Sequence, residues 1–163
     1  MMYRARRSWR GVVAVCAILG CVWSGCGDDG SEQDFICTKE FAGDECTVFE
    51  LVNRERSKQG LAPLRFDVEL AQSARGHAQD MVEREYFAHD SPEGEDFSAR
   101  AKAAGYEGFP RAENIAYGQY APQDVMQTWM TSEGHKKNIL LEDTTALGVG
   151  KSGRHWVQVF GRD

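Results

Sequence analysis

Cysteine is scarce in most of this sequence, and long apolar runs are confined to its first residues. Three of the five cysteines lie within the first 26 residues, and only Cys37 and Cys46 follow. Two cysteines form at most one disulfide, so a scaffold built on several disulfides is excluded. The Cys-x-x-Cys spacing usual for structural zinc is also absent. We predict a disulfide between Cys37 and Cys46, because the chain is expected to enter an oxidising compartment.

The export signal is expected at the start of the chain. Four arginines and no acid precede an apolar run over residues 11–23, which is the pattern of a secretory signal. The run is shorter than the roughly 20 residues that a transmembrane helix needs. Ser24-Gly25-Cys26 is similar to a bacterial lipoprotein cleavage site, although Trp23 replaces the usual leucine. Cys26 is therefore a candidate lipid anchor within a signal spanning 1–25, Cys21 is a poorer one, and cleavage without lipidation is the alternative.

Positive charge is scarce beyond that signal. The sequence has 19 basic and 25 acidic residues and a net charge of −6. Cleavage before Cys26 removes four basic residues and no acid, so the remaining 138 residues carry −10. Without a run of lysine and arginine, binding to nucleic acid or to anionic headgroups is disfavoured. We expect a secreted or envelope-anchored domain that meets the membrane only through a lipid on Cys26.

Apolar spacing and turn residues predict an α+β domain. Residues 26–45 are rich in Gly, Asp, Glu and Ser, which is typical of a tether. Four helices follow. The first is expected between a cap at Thr47 and a stop at Gly60, and the second begins after a cap at Asp67. The third ends at Gly105, and the fourth begins with Pro122 and is broken by Gly134. Strands are predicted over 113–117, 146–150 and 155–160, with a hairpin turn over 151–154. Helices around few antiparallel strands indicate an α+β layered fold rather than repeated βαβ units.

No established enzyme signature is present. The sequence lacks a His-Glu-x-x-His zinc motif, a Gly-x-Ser-x-Gly elbow, a phosphate loop and a dinucleotide fingerprint. Ser91 and Ser132 lie close to histidines in sequence, but adjacency does not supply the hydrogen-bond geometry of a Ser-His hydrolase. A hydrolase of that kind is therefore disfavoured, and no catalytic residue is assigned.

Imidazole and carboxylate groups are the candidate functional groups, since together they bind a divalent metal, move a proton or hold a polar ligand. His89 follows the second helix on a turn before Pro92, where it faces a cleft or bonds to the backbone. Glu113 opens a strand with apolar neighbours, so its carboxylate needs a partner, either in a site or from the backbone and Asn114. His155 alternates with valines on one strand face, a pattern more typical of a half-buried residue than of a ligand.

The other two histidines have weaker claims. His135 follows the predicted helix break and is interpreted as a cap or brace of the turn over 136–141. His77 lies three residues after Ala74 and four before Met81 on the apolar side of the second helix. We interpret it as a residue at the edge of the core.

Five phrases in order resemble the bacterial branch of the CAP superfamily, which joins cysteine-rich secretory proteins, antigen 5 and pathogenesis-related 1 proteins. The phrases are Phe87-Ala88-His89-Asp90-Ser91-Pro92, Glu113-Asn114-Ile115-Ala116-Tyr117-Gly118, Trp129 to Leu140, Leu147-Gly148-Val149-Gly150 and Trp156-Val157-Gln158-Val159-Phe160-Gly161. The resemblance covers roughly residues 48–162. It implies a three-layer α-β-α sandwich with a small antiparallel sheet over 46–163, and a cleft of two histidines and two acids that binds zinc or another divalent ion in many members.

The resemblance carries over to individual residues. His89, Glu113 and His155 match the first histidine, the acid of the Gly-Glu-Asn motif and the second histidine. Ser132 stands where animal and plant members have the second acid, and Glu133 is one residue away, about 100° around a helix. His135 belongs to a Ser-x-Gly-His phrase of the bacterial branch. Glu133, His135 and Asn114 are therefore assigned supporting roles only.

Three functions follow as hypotheses. The first is a binding module whose cleft holds a lipid, a peptide or a cell-wall fragment, with or without a divalent metal. The second is a metal-assisted hydrolase of envelope polymers or peptides, in which two histidines and one carboxylate hold the ion. The third is a structural envelope protein that meets other surface proteins. The ligand and the oligomeric state are left open.

Overall fold

The structure, a computed structural model, describes Cys37, Phe41 and residues 43–163. The helices are α1 (Asp44–Lys58), α2 (Val68–Glu83), α3 (Phe97–Ala103), α4 (Pro122–Thr131) and α5 (Glu133–Ile139). The strands are β1 (Arg65–Phe66), β2 (Phe109–Tyr117), β3 (Ala146–Ser152) and β4 (His155–Arg162). Among these described residues, no helix is both long enough and apolar enough to cross a membrane.

One four-stranded sheet, in the order β1-β3-β4-β2, forms the middle of the domain. Strands β2 and β3 both pair with β4 in antiparallel fashion, as the sequence predicts. The sheet is nevertheless mixed, because β1 pairs with β3 in parallel. Two residues are too few for an alternating pattern, which is why the sequence does not predict β1.

Helices cover both faces of the sheet, which confirms the predicted α-β-α sandwich. On one face α1 and α4 pack their apolar residues on the even-numbered side chains of β4, such as Trp156 and Phe160. On the other face α2 and α3 pack on Ile115, Val157 and Val159. The backbone of α2 lies directly against β3, because a side chain at Gly148 or Gly150 would overlap it.

Some of the predicted helix boundaries agree with the structure and others do not. Asp67 caps α2 as predicted, with its carboxylate accepting from the Leu70 amide at 2.8 Å. The predicted cap at Thr47 is wrong, because α1 begins at Asp44 and the Thr47 hydroxyl bonds back to the Gly43 carbonyl. Val82, in the last turn of α2, is exposed.

The packed fold also begins earlier than the predicted tether end at residue 45. Phe41 is fully buried and its ring packs at a tilt against that of Phe66, with 5.5 Å between centroids. Cys37 and Cys46 are joined in the predicted disulfide, with Cα atoms 5.7 Å apart. The disulfide therefore attaches the segment that carries Phe41 to the start of α1.

The region after α4 is helical, which corrects the prediction for Gly134. Ser132, in an extended conformation, ends α4 and starts α5, and Gly134 lies inside α5. His135 is consequently a helical residue rather than a turn brace. The buried guanidinium of Arg56 anchors the far end of α5, since its Nη1 donates to the carbonyls of Ile139 and Leu141 at 3.0 and 2.9 Å. Between β3 and β4, the predicted four-residue turn is only Gly153 and Arg154.

Candidate functional site

The pairing of β2 with β4 decides which side chains share a face. Glu113 lies opposite Val159, Ile115 opposite Val157, and Tyr117 opposite His155. Because side chains alternate along a strand, these pairs all point to the α2 side of the sheet. Glu113 and His155 therefore lie on the same face but at different positions along the strands, with the apolar pair Ile115 and Val157 between them.

Glu113 is the centre of a charged group. Its side chain is only 1% exposed, and both of its oxygens are bonded. Oε1 lies 2.8 Å from His89 Nδ1, and Oε2 accepts from Arg100 Nη2 at 2.8 Å. We call His89, Arg100 and Glu113 the charged site. The sequence requires a partner for the buried Glu113 carboxylate, and the structure supplies two, His89 and Arg100.

Arg100 is the member that the sequence does not predict. It lies on α3, and its Nη2 also donates to the carbonyl of His89 at 2.8 Å while its Nη1 donates to the carbonyl of Glu95 at 2.6 Å. The guanidinium therefore holds both the Glu113 carboxylate and the loop that carries His89. A buried carboxylate indicates that some cation is needed, but no local pattern identifies which one.

His89 is the member that meets solvent, since its side chain is 54% exposed. The hydrogen bond to Glu113 raises the pKa of His89, and partial burial opposes that rise. With Nδ1 facing the carboxylate, Nε2 is the ring nitrogen that remains for a ligand. A carboxylate on one ring nitrogen fixes the orientation of an imidazole and raises its basicity.

His77, predicted at the edge of the core, contacts the loop just before His89 from α2. Its ring is buried, with Nε2 3.0 Å from the carbonyl of Ala88 and Nδ1 3.3 Å from the hydroxyl of Tyr86. The same hydroxyl donates to Asp80 at 2.5 Å. Burial lowers the pKa of His77. The position of His89 is thus set by contacts from both α2 and α3.

His155 is placed apart from Glu113. Tyr117, the partner of His155, lies four positions further along β2 than Glu113, which corresponds to about 13 Å along the strand. The His155 ring contacts two aromatic rings instead, Tyr117 at 4.5 Å and Phe87 at 6.1 Å between centroids. Burial lowers the pKa of His155, and its Nδ1 has no hydrogen-bond partner among the described residues.

The supporting residues lie on the other face of the sheet or at its edge. Asn114 is fully buried and donates to Gln158 Oε1 and to the carbonyl of His135, both at 3.1 Å, while Asn138 donates to Asn114 Oδ1 at 2.9 Å. We call Asn114, Asn138 and Gln158 the amide network. It attaches α5, and with it His135, to β2.

The two remaining supporting residues differ in burial. Burial lowers the pKa of His135, and the charge of His89 lowers it further. Glu133 is exposed at the start of α5 and makes no hydrogen bond or ion pair with another described residue.

The predicted metal ligands do not come together as one group. Both oxygens of Glu113 are occupied, one by the cationic Arg100, so this carboxylate does not fit the role of a metal ligand. In the part of the chain that the structure describes, no three His, Cys, Asp or Glu side chains are close enough to hold an ion. Glu113 fits instead the role of a carboxylate that orients a histidine. Binding of zinc or another divalent ion stays a prediction.

The fold and the site define a class of domain, an α-β-α sandwich in which a glutamate on β2 is bonded to a histidine on the loop between α2 and α3. Residues 49–160 match the family model described as the Cysteine-rich secretory protein family, CAP. The chain belongs to this family, as its motifs predict.

Relatives and solved structures agree with this family. The uncharacterized protein YkwD of Bacillus subtilis (strain 168) is 48% identical over 119 residues, which cover 71% of this chain and 46% of YkwD. The uncharacterized membrane protein YlbC of the same strain is 38% identical over 117 residues, 71% of this chain and 34% of YlbC. An extracellular protein containing a SCP domain from Bacillus anthracis str. Ames has a similar structure, with a TM-score of 0.72 and 36% identity over 74% of this chain and 41% of that one. The chain spans less than half the length of each of these three proteins.

Proposed function

We propose that this protein is a binding module of the bacterial cell envelope that holds a polar ligand at His89. The observation that carries the proposal is the double engagement of Glu113 by His89 and Arg100. The carboxylate is neutralised inside the protein, so Nε2 of the half-exposed His89 ring is the group of the charged site that remains for a ligand. A site of this kind orients one hydrogen-bonding group and needs no further chemistry.

The chemistry of the same residues argues against a metal-assisted hydrolase. A catalytic zinc site uses three protein ligands and an open position for water. Here the candidate carboxylate is bonded to a guanidinium, and a positive charge beside it disfavours a divalent cation. The serine nearest to His89 in sequence is also engaged, since the hydroxyl of Ser91 accepts from the Glu95 amide.

Two observations support a location at the envelope: the similarity to an extracellular protein and the signal pattern at the start of the sequence. The chain is 36% identical to a Bacillus anthracis protein described as extracellular. The expected signal over 1–25 and the candidate anchor at Cys26 lie outside the described residues, so both stay predictions. Release from the membrane fraction on Cys26→Ser tests the anchor, and an unchanged membrane fraction of that variant rejects lipidation.

The test of binding uses the full chain carrying Cys26→Ser and NMR detection of the histidine rings. Three probes are added in turn: muramidase-digested cell wall, protease-digested envelope peptides and phosphatidylglycerol vesicles. We expect at least one probe to shift the His89 resonances and none to be hydrolysed. His89→Gln is expected to weaken that binding at least tenfold, whereas Glu83→Gln, an exposed change at the end of α2, is expected to leave it unchanged.

Two outcomes would overturn the proposal. One is the absence of a His89 shift with all three probes. The other is hydrolysis of any probe that depends on His89. Stoichiometric zinc in the purified chain, lost in a variant carrying both His89→Gln and His155→Gln and accompanied by hydrolysis, would establish the metal-assisted alternative.

A further inference from the structure

Beside the charged site, a row of planar groups runs across the end of the sheet. Phe87 contacts the His155 ring, His155 contacts Tyr117, and the Arg154 guanidinium lies 5.6 Å from the centre of the Tyr117 ring and 4.5 Å from that of Tyr120. We call these five residues the aromatic row. It begins at Phe87, two residues before His89 in the sequence.

The phenylalanine and the two tyrosines of the aromatic row are exposed, whereas Arg154 and His155 are half-buried. Tyr120 is 70% exposed, and Phe87 and Tyr117 are each at least half exposed. No hydrogen bond of the Tyr117 or Tyr120 hydroxyl to another described residue is present. Aromatic rings with a free polar end are the residues that binding surfaces use, because they offer apolar area and a hydrogen-bonding group together.

The segment that carries Tyr120 is held in place by β3, by β4 and by the turn between them. Three successive backbone carbonyls accept hydrogen bonds: Gly118 from Arg154 Nε at 2.8 Å, Gln119 from the Trp156 indole at 2.9 Å, and Tyr120 from Lys151 Nζ at 3.2 Å. A loop fixed in this way loses little freedom when a ligand binds, and this preorganisation increases affinity. The rings are thus presented by a rigid support.

Arg154 gives the row a positive charge. Its hydrogen bonds go to the carbonyl of Gly118, and no carboxylate of the described residues pairs with it. The full sequence carries a net charge of −6, so the protein as a whole does not attract polyanions. An anionic ligand would therefore be bound by the local charge of Arg154. The row therefore combines flat apolar faces with one fixed cation.

We propose that the aromatic row binds an acidic glycan, a polysaccharide whose sugar rings carry carboxylates. The apolar faces of pyranose rings pack on Phe87, Tyr117 and Tyr120, and a ring carboxylate pairs with Arg154. A lipid chain fits less well, because it needs an enclosing pocket rather than rings that stand in solvent. This inference rests on the proposed function, since it names the class of envelope ligand that the binding module takes.

The test compares two soluble hexasaccharides on the full chain carrying Cys26→Ser. One alternates glucuronate with N-acetylglucosamine, and the other contains only N-acetylglucosamine. Calorimetry at fixed salt is expected to give at least tenfold tighter binding of the acidic hexasaccharide. Tyr120→Ala is expected to weaken its binding about tenfold, by loss of one stacked ring.

Phe109→Ala is the matched control, because Phe109 is 68% exposed and lies near a cation, Lys102, at the opposite end of β2. It is expected to bind the acidic hexasaccharide like the wild type. Arg154→Gln is expected to remove the preference for the acidic over the neutral hexasaccharide, and thermal melting verifies that each variant is folded. Equal weakening by Phe109→Ala and Tyr120→Ala, or equal affinity of the wild type for both hexasaccharides, would overturn the inference. Binding of envelope peptides in place of either hexasaccharide, lost in Tyr120→Ala, would assign the row to a peptide and overturn it as well.

The two proposals fail in different ways. If wall digest shifts His89 but Tyr120→Ala binds the acidic hexasaccharide normally, the charged site binds a ligand and the aromatic row does not. If the acidic hexasaccharide binds through Tyr120 and Arg154 while none of the three probes shifts His89, the row stands and the proposed role of His89 is lost.

Discussion

Glu113 and Asn114 are consecutive residues of β2, yet they lie on opposite faces of the sheet in different surroundings. Glu113 is bonded to two ionisable partners, and through His89 it is connected to solvent. The hydrogen bonds of Asn114 go to neutral groups, in the buried space between the sheet and α5. One strand thus supports a charged site on one side and the amide network on the other.

The charged site and the amide network respond differently to the loss of a partner and to a change of pH. A buried carboxylate is tolerated only while its charge is compensated, so the charged site is sensitive to the loss of a partner and to pH. Neutral amides have no charge to compensate near pH 7, so the amide network contributes fixed geometry. We therefore expect ligand binding from the side of Glu113 and structural support from the side of Asn114.

The largest effect on stability is expected from Arg100→Ala. This change leaves the Glu113 carboxylate buried with His89 as its remaining partner. Removal of one member of a buried ion pair costs about 3–5 kcal/mol, and we expect a loss of about 3 kcal/mol in the free energy of unfolding because His89 remains. Urea unfolding at pH 7 measures it.

Arg84→Ala is the matched control for this prediction. Arg84 also pairs with a glutamate, Glu93, but both side chains are at the surface. We expect no measurable change in stability from it, because surface pairs are screened by solvent. Adding Glu113→Gln to Arg100→Ala is expected to restore part of the lost stability. If Arg100→Ala is as harmless as Arg84→Ala, compensation of a buried charge is not what Arg100 contributes.

A smaller loss is expected from Asn114→Ala. The carbonyl of His135 and the side-chain oxygen of Gln158 then lose their donor inside the protein, which costs about 2 kcal/mol. Urea unfolding measures this loss, with Gln123→Ala on the exposed side of α4 as the control. The pKa of His89, followed by NMR, is expected to stay at its wild-type value. A change in that pKa would mean that the two sides of β2 are coupled.

The sequence predicts the fold well where the pattern is local. The apolar spacing of α2 and its cap at Asp67 depend on neighbours within a few residues, and so does the start of α4 at Pro122. The resemblance to the CAP family supplies the layering of these elements. β1 is missed because its two residues are defined by pairing with a distant strand, and α5 because Gly134 is more often a stop than a helical residue.

The site is predicted only in part, for a similar reason. A buried carboxylate at Glu113 requires a partner, and the family motif points to His89, so that pair is expected from the sequence. Arg100 reaches Glu113 only because α3 packs beside β2, which no spacing along the chain reveals. The separation of His155 from Glu113 follows from strand register, which fixes Tyr117 rather than Glu113 opposite His155.

The smallest effect is expected from Glu113→Gln on the pH dependence of stability. The hydrogen bond to Glu113 raises the pKa of His89 above the ordinary value of 6.5. The protonated ring therefore contributes stability that is fully present below about pH 6.5 and is lost as the pH rises through the raised pKa. The variant removes the main cause of the shift, so its unfolding free energy should decline less than that of the wild type between about pH 6.5 and pH 8.

The difference in that decline is expected to be less than about 1 kcal/mol, because His89 is half exposed. Burial lowers the pKa values of His77, His135 and His155, so their contributions have the opposite sign and are lost only as the pH falls below 6.5. The window above pH 6.5 therefore isolates His89. Asn114→Ala, on the opposite face of β2, serves as the control and should keep the wild-type slope. Equal slopes for Glu113→Gln and the wild type would mean that Glu113 does not set the protonation of His89, and the contrast between the two faces of β2 would then not extend to pH.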